Sequence, residues 1–230
     1  HINTYISIRL AMIILLLSVS LCGCAVATEG HTGTESETQA STPVGSSDSG
    51  KRVALTFDDG PHNVRTPQIV DELDKYGYHA TFFVVGNRVD GTAYNGGDAM
   101  VYAAEHGNEI GIHGYTHEAY YDTCDDTTYR EELSLTEAAI KARLKGVGGV
   151  RLMRPVGGRI SQDRAKTCPY GIAMWSVDSE DWKHKYKPGD GEAEWTAKVD
   201  TIVENVMSQV QEGDIILMHD IYESTYDAVV

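Results

Sequence analysis

The chain has 230 residues, enough for one sizeable domain with a tail. It carries 34 acidic residues against 19 basic ones, a formal net charge of −15, with 41% hydrophobic residues and 23 glycines. That composition suits a globular α/β protein. It argues against nucleic acid as a partner, because phosphate binding needs a basic face, and it leaves neutral polymers open.

The chain starts on His1, so a preceding methionine is expected to be missing. Arg9 precedes an apolar run from Leu10 to Leu21, broken only by Ser18 and Ser20. The run is short for a membrane span, which needs about 20 apolar residues, and fits the apolar region of a secretory signal. Leu21-Cys22-Gly23-Cys24 resembles a bacterial lipobox. The resemblance implies a signal peptide over 1–23, lipid attachment at Cys24, and a place on the extracellular face of a bacterial membrane. A plain cleaved signal and an uncleaved anchor are the alternatives. Residues 24–50, rich in Ser, Thr, Gly and Glu, cannot bury enough surface to fold and read as a disordered tether. Export would permit a Cys124–Cys168 disulfide, and two free thiols fit equally well. No cysteine pair has zinc-finger or redox spacing.

The folded domain is expected over 51–230. Strands are expected at Val53–Phe57, Thr81–Val85, Glu109–Ile112, Arg151–Met153, Ile172–Trp175 and Ile215–Met218. Helices are expected at Thr66–Tyr76, Met100–His106, Tyr129–Lys145 and Trp195–Val210, the third with Leu133, Leu135, Ala139, Ile140 and Leu144 on its apolar face. This alternation implies a parallel sheet with helical crossovers. Asp58/Asp59, His113, Arg154, Asp178/Asp181 and His219 each follow a β-type run. Side chains just beyond strand C-termini converge in a (β/α) barrel, so their number favours a barrel over a doubly wound sheet.

His113 and His117 are spaced to share one face of a helical turn and so to bind one cation. Gly114 follows His113 where a zincin motif requires Glu. Alone, such a pair equally describes two surface histidines. Asp58-Asp59 supplies a third candidate ligand. Adjacent acids at the end of a buried strand are costly unless paired or metal-bound; a solvated Asp-Gly-Pro turn is the plainer alternative. One carboxylate with two imidazoles leaves coordination positions open for water and a substrate oxygen.

Thr56-Phe57-Asp58-Asp59-Gly60-Pro61, His113-Gly114-Tyr115-Thr116-His117, Arg154-Pro155, Asp178-Ser179-Glu180-Asp181-Trp182 and Leu217-Met218-His219 resemble, in order, the five motifs of the NodB-like polysaccharide deacetylases, carbohydrate esterase family 4. The resemblance implies a distorted (β/α) barrel and metal-dependent removal of acetyl groups from N-acetylated sugars. Asp59, His113 and His117 would hold one divalent ion, usually zinc. Asp58 would be the general base, held by Arg154, and His219 the general acid, oriented by Asp181. Asp178 is a weaker candidate for that last task, or for fixing the loop at Arg154. Trp182 and Leu217 would wall the acetyl pocket, with core packing as the alternative for both, and a backbone N–H near Gly157 would meet the oxyanion.

The third motif departs from the family pattern. Arg154-Pro155-Val156-Gly157-Gly158 stands where Arg-Pro-Pro-Tyr-Gly is common, so an aromatic groove wall is lost. The family also implies a helix and a strand beyond the fifth motif, so Val230 is expected to fall inside that helix and the domain to be C-terminally truncated. Peptidoglycan N-acetylglucosamine is the substrate the lipobox favours. Chitin oligosaccharides, acetylxylan, or a non-catalytic wall-binding lipoprotein on the same fold are the alternatives. A phosphatase would want a two-metal cluster or a phosphate cradle, and neither pattern is present in the sequence.

Overall fold

A computed structural model describes residues 52–145 and 149–230. The apolar run Leu10–Leu21, Cys24 and the tether lie outside the described residues. Among the described residues no helix is long and apolar enough to cross a membrane.

In chain order the elements are β1 (Ala54–Asp58), α1 (Arg65–Asp74), β2 (Thr81–Val84), α2 (Gly86–Val89), α3 (Gly97–Glu105), β3 (Glu109–Ile112), α4 (Asp126–Arg143), β4 (Leu152–Met153), α5 (Gln162–Thr167), β5 (Gly171–Ile172), β6 (Val177–Asp178), α6 (Glu192–Met207), β7 (Ile215–His219) and α7 (Glu223–Val229). Two single 3-10 turns, Val156–Gly158 and Asp181–Lys183, follow β4 and β6. The seven strands form one sheet in the order β5-β4-β3-β2-β1-β7-β6, and every pairing is parallel.

The edge strands β5 and β6 are neighbours in sequence, joined by Ala173–Ser176 alone. A flat sheet would hold them about 29 Å apart, six gaps of about 4.8 Å. Five chain steps from Ile172 to Val177 reach about 18 Å at most. The sheet must therefore curl, which gives the distorted, incompletely closed (β/α) barrel expected from the motifs.

Side chains alternate across the curled sheet. Phe57 and Phe82 stack at 5.1 Å and join Ile69, Val70, Met100, Ile112 and Ile140 in the layer beneath the helices. Thr56, Asp58 and Phe83 sit on the opposite face, in the lumen, where all three meet the fully buried Arg154. A hydroxyl and a carboxylate on successive lumen positions of β1 would be destabilising in an all-apolar interior. The guanidinium gives each of them a partner through Nη1, while its own Nη2 is left without an acceptor.

Several expectations shift. α4 begins three residues before Tyr129, because Asp125 caps it by accepting the Thr128 N–H at 2.8 Å. Leu135 is 47% exposed, outside the apolar face assigned to it. α2, α5 and β6 were not foreseen. Cys124 and Cys168 are both free thiols.

Candidate functional site

The polar motifs gather at the C-terminal ends of the strands. Asp58 closes β1, His113 follows β3, Arg154 follows β4, and His219 closes β7. β1 and β7 are in register with Asp58 opposite His219. The two residues best suited to proton transfer therefore stand side by side on adjacent strands.

Asp59, His113 and His117 are brought together from two loops. Their ligand-capable atoms all lie within 4.8 Å of one another, the single such cluster of three among the described residues. Asp59 Oδ1 is 2.9 Å from His117 Nε2 and 3.4 Å from His113 Nε2. It is buried, yet no donor is aligned to hydrogen-bond it. His113 Nδ1 donates to the Arg154 carbonyl at 2.9 Å, which fixes the tautomer and leaves the Nε2 lone pair facing Asp59. Lone pairs pointing at shared space, with an orphaned buried oxygen among them, fit a divalent cation. Burial alone would raise the Asp59 pKa, but the His113 and His117 rings, when protonated, outweigh it by hydrogen bonding and charge and hold the carboxyl well below the usual range.

The helical-turn rationale for the histidine pair fails. Residues 113–117 form an irregular loop, with Gly114 at φ 80° and His117 at φ 65°. Left-handed backbone at both positions folds the chain back, and the rings meet with centroids 5.3 Å apart. Asp59 is left-handed too, at φ 71°, which turns it away from the lumen direction of Asp58.

Asp58 lies wholly inside. Arg154 Nη1 donates to its Oδ1 at 2.8 Å and to Thr56 Oγ1 at 2.8 Å, while Nε donates to the Ala173 carbonyl at 2.8 Å. One side chain thus ties β1 to the link between β5 and β6. Asp58 Oδ2 is left 3.6 Å from His113 Nε2.

His219 is locked from behind. Its Nδ1 lies 2.7 Å from Asp181 Oδ1, and its backbone N–H donates to Oδ2 at 2.7 Å. Thr225 Oγ1, from α7, donates to the same Oδ2 at 2.6 Å. Burial opposes a charge on the imidazole, but the Asp181 carboxylate overrides it and lifts the His219 pKa to about 9.

The remaining candidates divide. Asp178 accepts the Glu180 N–H at 2.8 Å and shapes that left-handed turn; its hydrogen bond is not to His219 or Arg154. Trp182 follows Asp181 and is 45% exposed. Leu217 is buried on β7, in register between Thr56 and Asp178. Gly157 sits at φ 59° in the turn after Arg154, with the Tyr120 ring packed where a Cβ would point.

Sequence reasoning missed Asp220 and Thr225. Asp220 is buried beside Gly60, accepts from Thr66 Oγ1, and has a second oxygen without a donor. Burial pushes its pKa up to about 7. Its place directly after His219 was the one available signal.

Residues 45–171 match the family model described as polysaccharide deacetylase. Peptidoglycan-N-acetylmuramic acid deacetylase PdaC of Bacillus subtilis is 34% identical over 190 residues, 77% of this chain. The chain spans about a third of that relative's length, 34%. A peptidoglycan-N-acetylglucosamine deacetylase of Bacillus cereus is 34% identical over 175 residues, covering 74% of this chain and 73% of the relative. The solved structure of Bacillus subtilis PdaC superposes with a TM-score of 0.66, covering 78% of this chain and 79% of that one. A family 4 carbohydrate esterase from Bacillus anthracis, described as a pseudoenzyme, superposes at 0.62 with 28% identity, covering 79% of this chain and 58% of that one.

Proposed function

The chain belongs to the polysaccharide deacetylase family, and on that premise we propose that it hydrolyses the N-acetyl groups of a cell-envelope polysaccharide, peptidoglycan N-acetylglucosamine first among them. The relatives' substrates support the polymer class. A solved neighbour on this fold is a pseudoenzyme, so activity depends on the residues of the site and not on the fold. The carrying observation is that Asp58 and His219 stand on paired strands beside the Asp59–His113–His117 cluster, each fixed by a buried partner of opposite charge.

Asp59, His113 and His117 would hold one divalent ion, zinc being the proposed metal. When bound, it supplies Lewis-acid chemistry, acidifying water and polarising the acetyl carbonyl. Asp58 Oδ1 is engaged by Arg154, so Oδ2 is the atom that takes the proton from the attacking water. His219 Nδ1 is engaged by Asp181, so its Nε2–H is the proton given to the leaving amine. With its pKa near 9, His219 holds that proton at neutral pH. One proton is taken, one is given, and the products are acetate and a free amine. Trp182 and Leu217 are proposed to flank the acetyl methyl. The Gly157 N–H is proposed as an oxyanion donor, since a hydrogen-bond donor aimed at developing charge supplies much of such a rate enhancement.

Cys24 is proposed to carry a lipid that holds the enzyme on the outer face of the cytoplasmic membrane, supported by the apolar run and Leu21-Cys22-Gly23-Cys24 before it. The test of the activity is acetate release from peptidoglycan, N-acetylglucosamine oligomers and acetylxylan, with and without chelator. Release from the first two that chelator abolishes and zinc restores is expected. Release unaffected by chelator, or none from any substrate by zinc-loaded protein, would overturn the reading.

A further inference from the structure

The loop bearing the two histidines has no regular structure, and its shape is imposed from outside. The carbonyls of Gly114 and Tyr115 accept the N–H groups of Gly86 and Asn87, at the start of α2, at 2.9 and 3.0 Å. The N–H groups of Tyr115 and Thr116 both donate to one carboxylate, that of Glu132 on α4, at 2.6 and 3.1 Å. Thr116 Oγ1 donates to the other oxygen of the same group at 2.6 Å. Between His113 and His117, therefore, the loop's N–H groups at two successive residues depend on one side chain.

Glu132 is buried, at 5% exposure, and among the described residues no basic side chain pairs with it. A buried carboxylate without a cation needs several strong donors, and this loop provides them. The residue after His113 is shaped to allow the approach. A Cβ on Gly114 would lie 2.9 Å from Glu132 Oε2 and 3.1 Å from the Tyr121 hydroxyl, and its φ of 80° independently disfavours a side chain. Gly114 and Glu132 are thus two halves of one device.

We propose that Glu132 is a positioning residue for the cation site: by binding the Tyr115 and Thr116 N–H groups it sets the separation of His113 and His117 around Asp59. The inference rests on the metal-site reading given above. Glu132 touches no ligand atom itself. Without it, the ion would have to order residues 114–116 on binding, and affinity would fall. Outer-shell groups of this kind are typically worth about 10–100-fold in metal affinity.

The test uses Glu132→Gln, which keeps the size and one acceptor but turns an N–H group toward donors. Zinc affinity is measured by competition with a chromophoric chelator, and cobalt is used as a probe of ligand geometry through its visible spectrum. Thr116→Val removes one of the hydrogen bonds and leaves Glu132 intact. Glu109→Gln, on a carboxylate that pairs with Arg151 at the far end of β3, is the control. Expected is a loss of about 10–100-fold in zinc affinity for Glu132→Gln, a smaller loss for Thr116→Val, and an altered cobalt spectrum in both, with the control unchanged. A melting temperature measured on metal-free protein separates this from a folding defect. If Glu132→Gln lowers that temperature but leaves zinc affinity and the cobalt spectrum as in wild type, Glu132 is merely structural and the inference is overturned alone. If wild type binds neither ion, the metal reading falls with it.

Discussion

Replacing Asp181 with Asn separates charge from geometry at His219. The amide keeps the size and outline of the group that accepts from His219 Nδ1, the His219 N–H and the Thr225 hydroxyl, although its one oxygen can accept on only one of the two sides. It removes the charge that lifts the imidazole pKa to about 9. Asp181 contributes more to that shift than Asp59 or Asp58 do. Without that carboxylate the pKa should fall back to about 6.5, since burial is then opposed only by the weaker pull of Asp59 and Asp58. If His219 must be protonated to act, the protonated fraction at pH 8 drops from about nine-tenths to about 3%, roughly a 30-fold loss of kcat/KM. At pH 6 the same calculation gives a loss of less than about 2-fold. The assay is acetate release from N-acetylglucosamine oligomers across that range. A loss of equal size at both pH values would refute the argument, because it would mean Asp181 orients His219 without governing its proton. Stability follows the same sign. An imidazole with a higher folded pKa favours the fold fully below about pH 6.5, and that contribution, about 3 kcal/mol, is lost as pH rises through about 9. The Asn variant should lack this alkaline decline in denaturant midpoint.

Asp58→Asn should cut turnover by about 10²–10⁴-fold with zinc content after dialysis unchanged, whereas His113→Ala should lose the zinc; equal zinc loss in both would contradict the roles. Arg154→Ala leaves the Asp58 carboxylate buried without its partner and should cost about 3–5 kcal/mol in denaturant unfolding; a cost under about 1 kcal/mol would show that water or another group replaces it. Gly60→Ala would place a Cβ 2.4 Å from both Asp220 oxygens, a carboxylate fixed by Thr66. It should destabilise by about 1–3 kcal/mol, read from the shift in denaturant midpoint, and a neutral result would mean the loop yields easily.

The long apolar strands were legible because their pattern is local. β1, β2, β3 and β7 fall within a residue or two of the expected runs, and the reactive residues sit where those runs end. β6 was not legible: Val177 is its one apolar residue, and only pairing with Ile216 and Leu217 makes it a strand. α5 buries nothing, so it carries no periodicity to detect. α2 is four residues opening on Gly86, stabilised through the carbonyls of a loop nearly thirty residues on. The site divides in the same way. Asp58, Asp59, His113, His117, Arg154, Asp181 and His219 were readable from motif and position. Glu132, Asp220 and Thr225 were not, since their partners lie 16, 154 and 44 residues away in sequence. The histidine pair was read from its spacing and its motif, and the left-handed backbone that unites it has no sequence mark beyond Gly114.

Arg154 fastens Asp58, the proposed general base, to the four-residue link that curls the sheet. Warming that slackens this seam by an ångström or two would swing Asp58 away from its water while the helices outside stay packed. Such an enzyme would fall silent before it melts, and its inactivation curve would run some degrees ahead of its loss of helical dichroism.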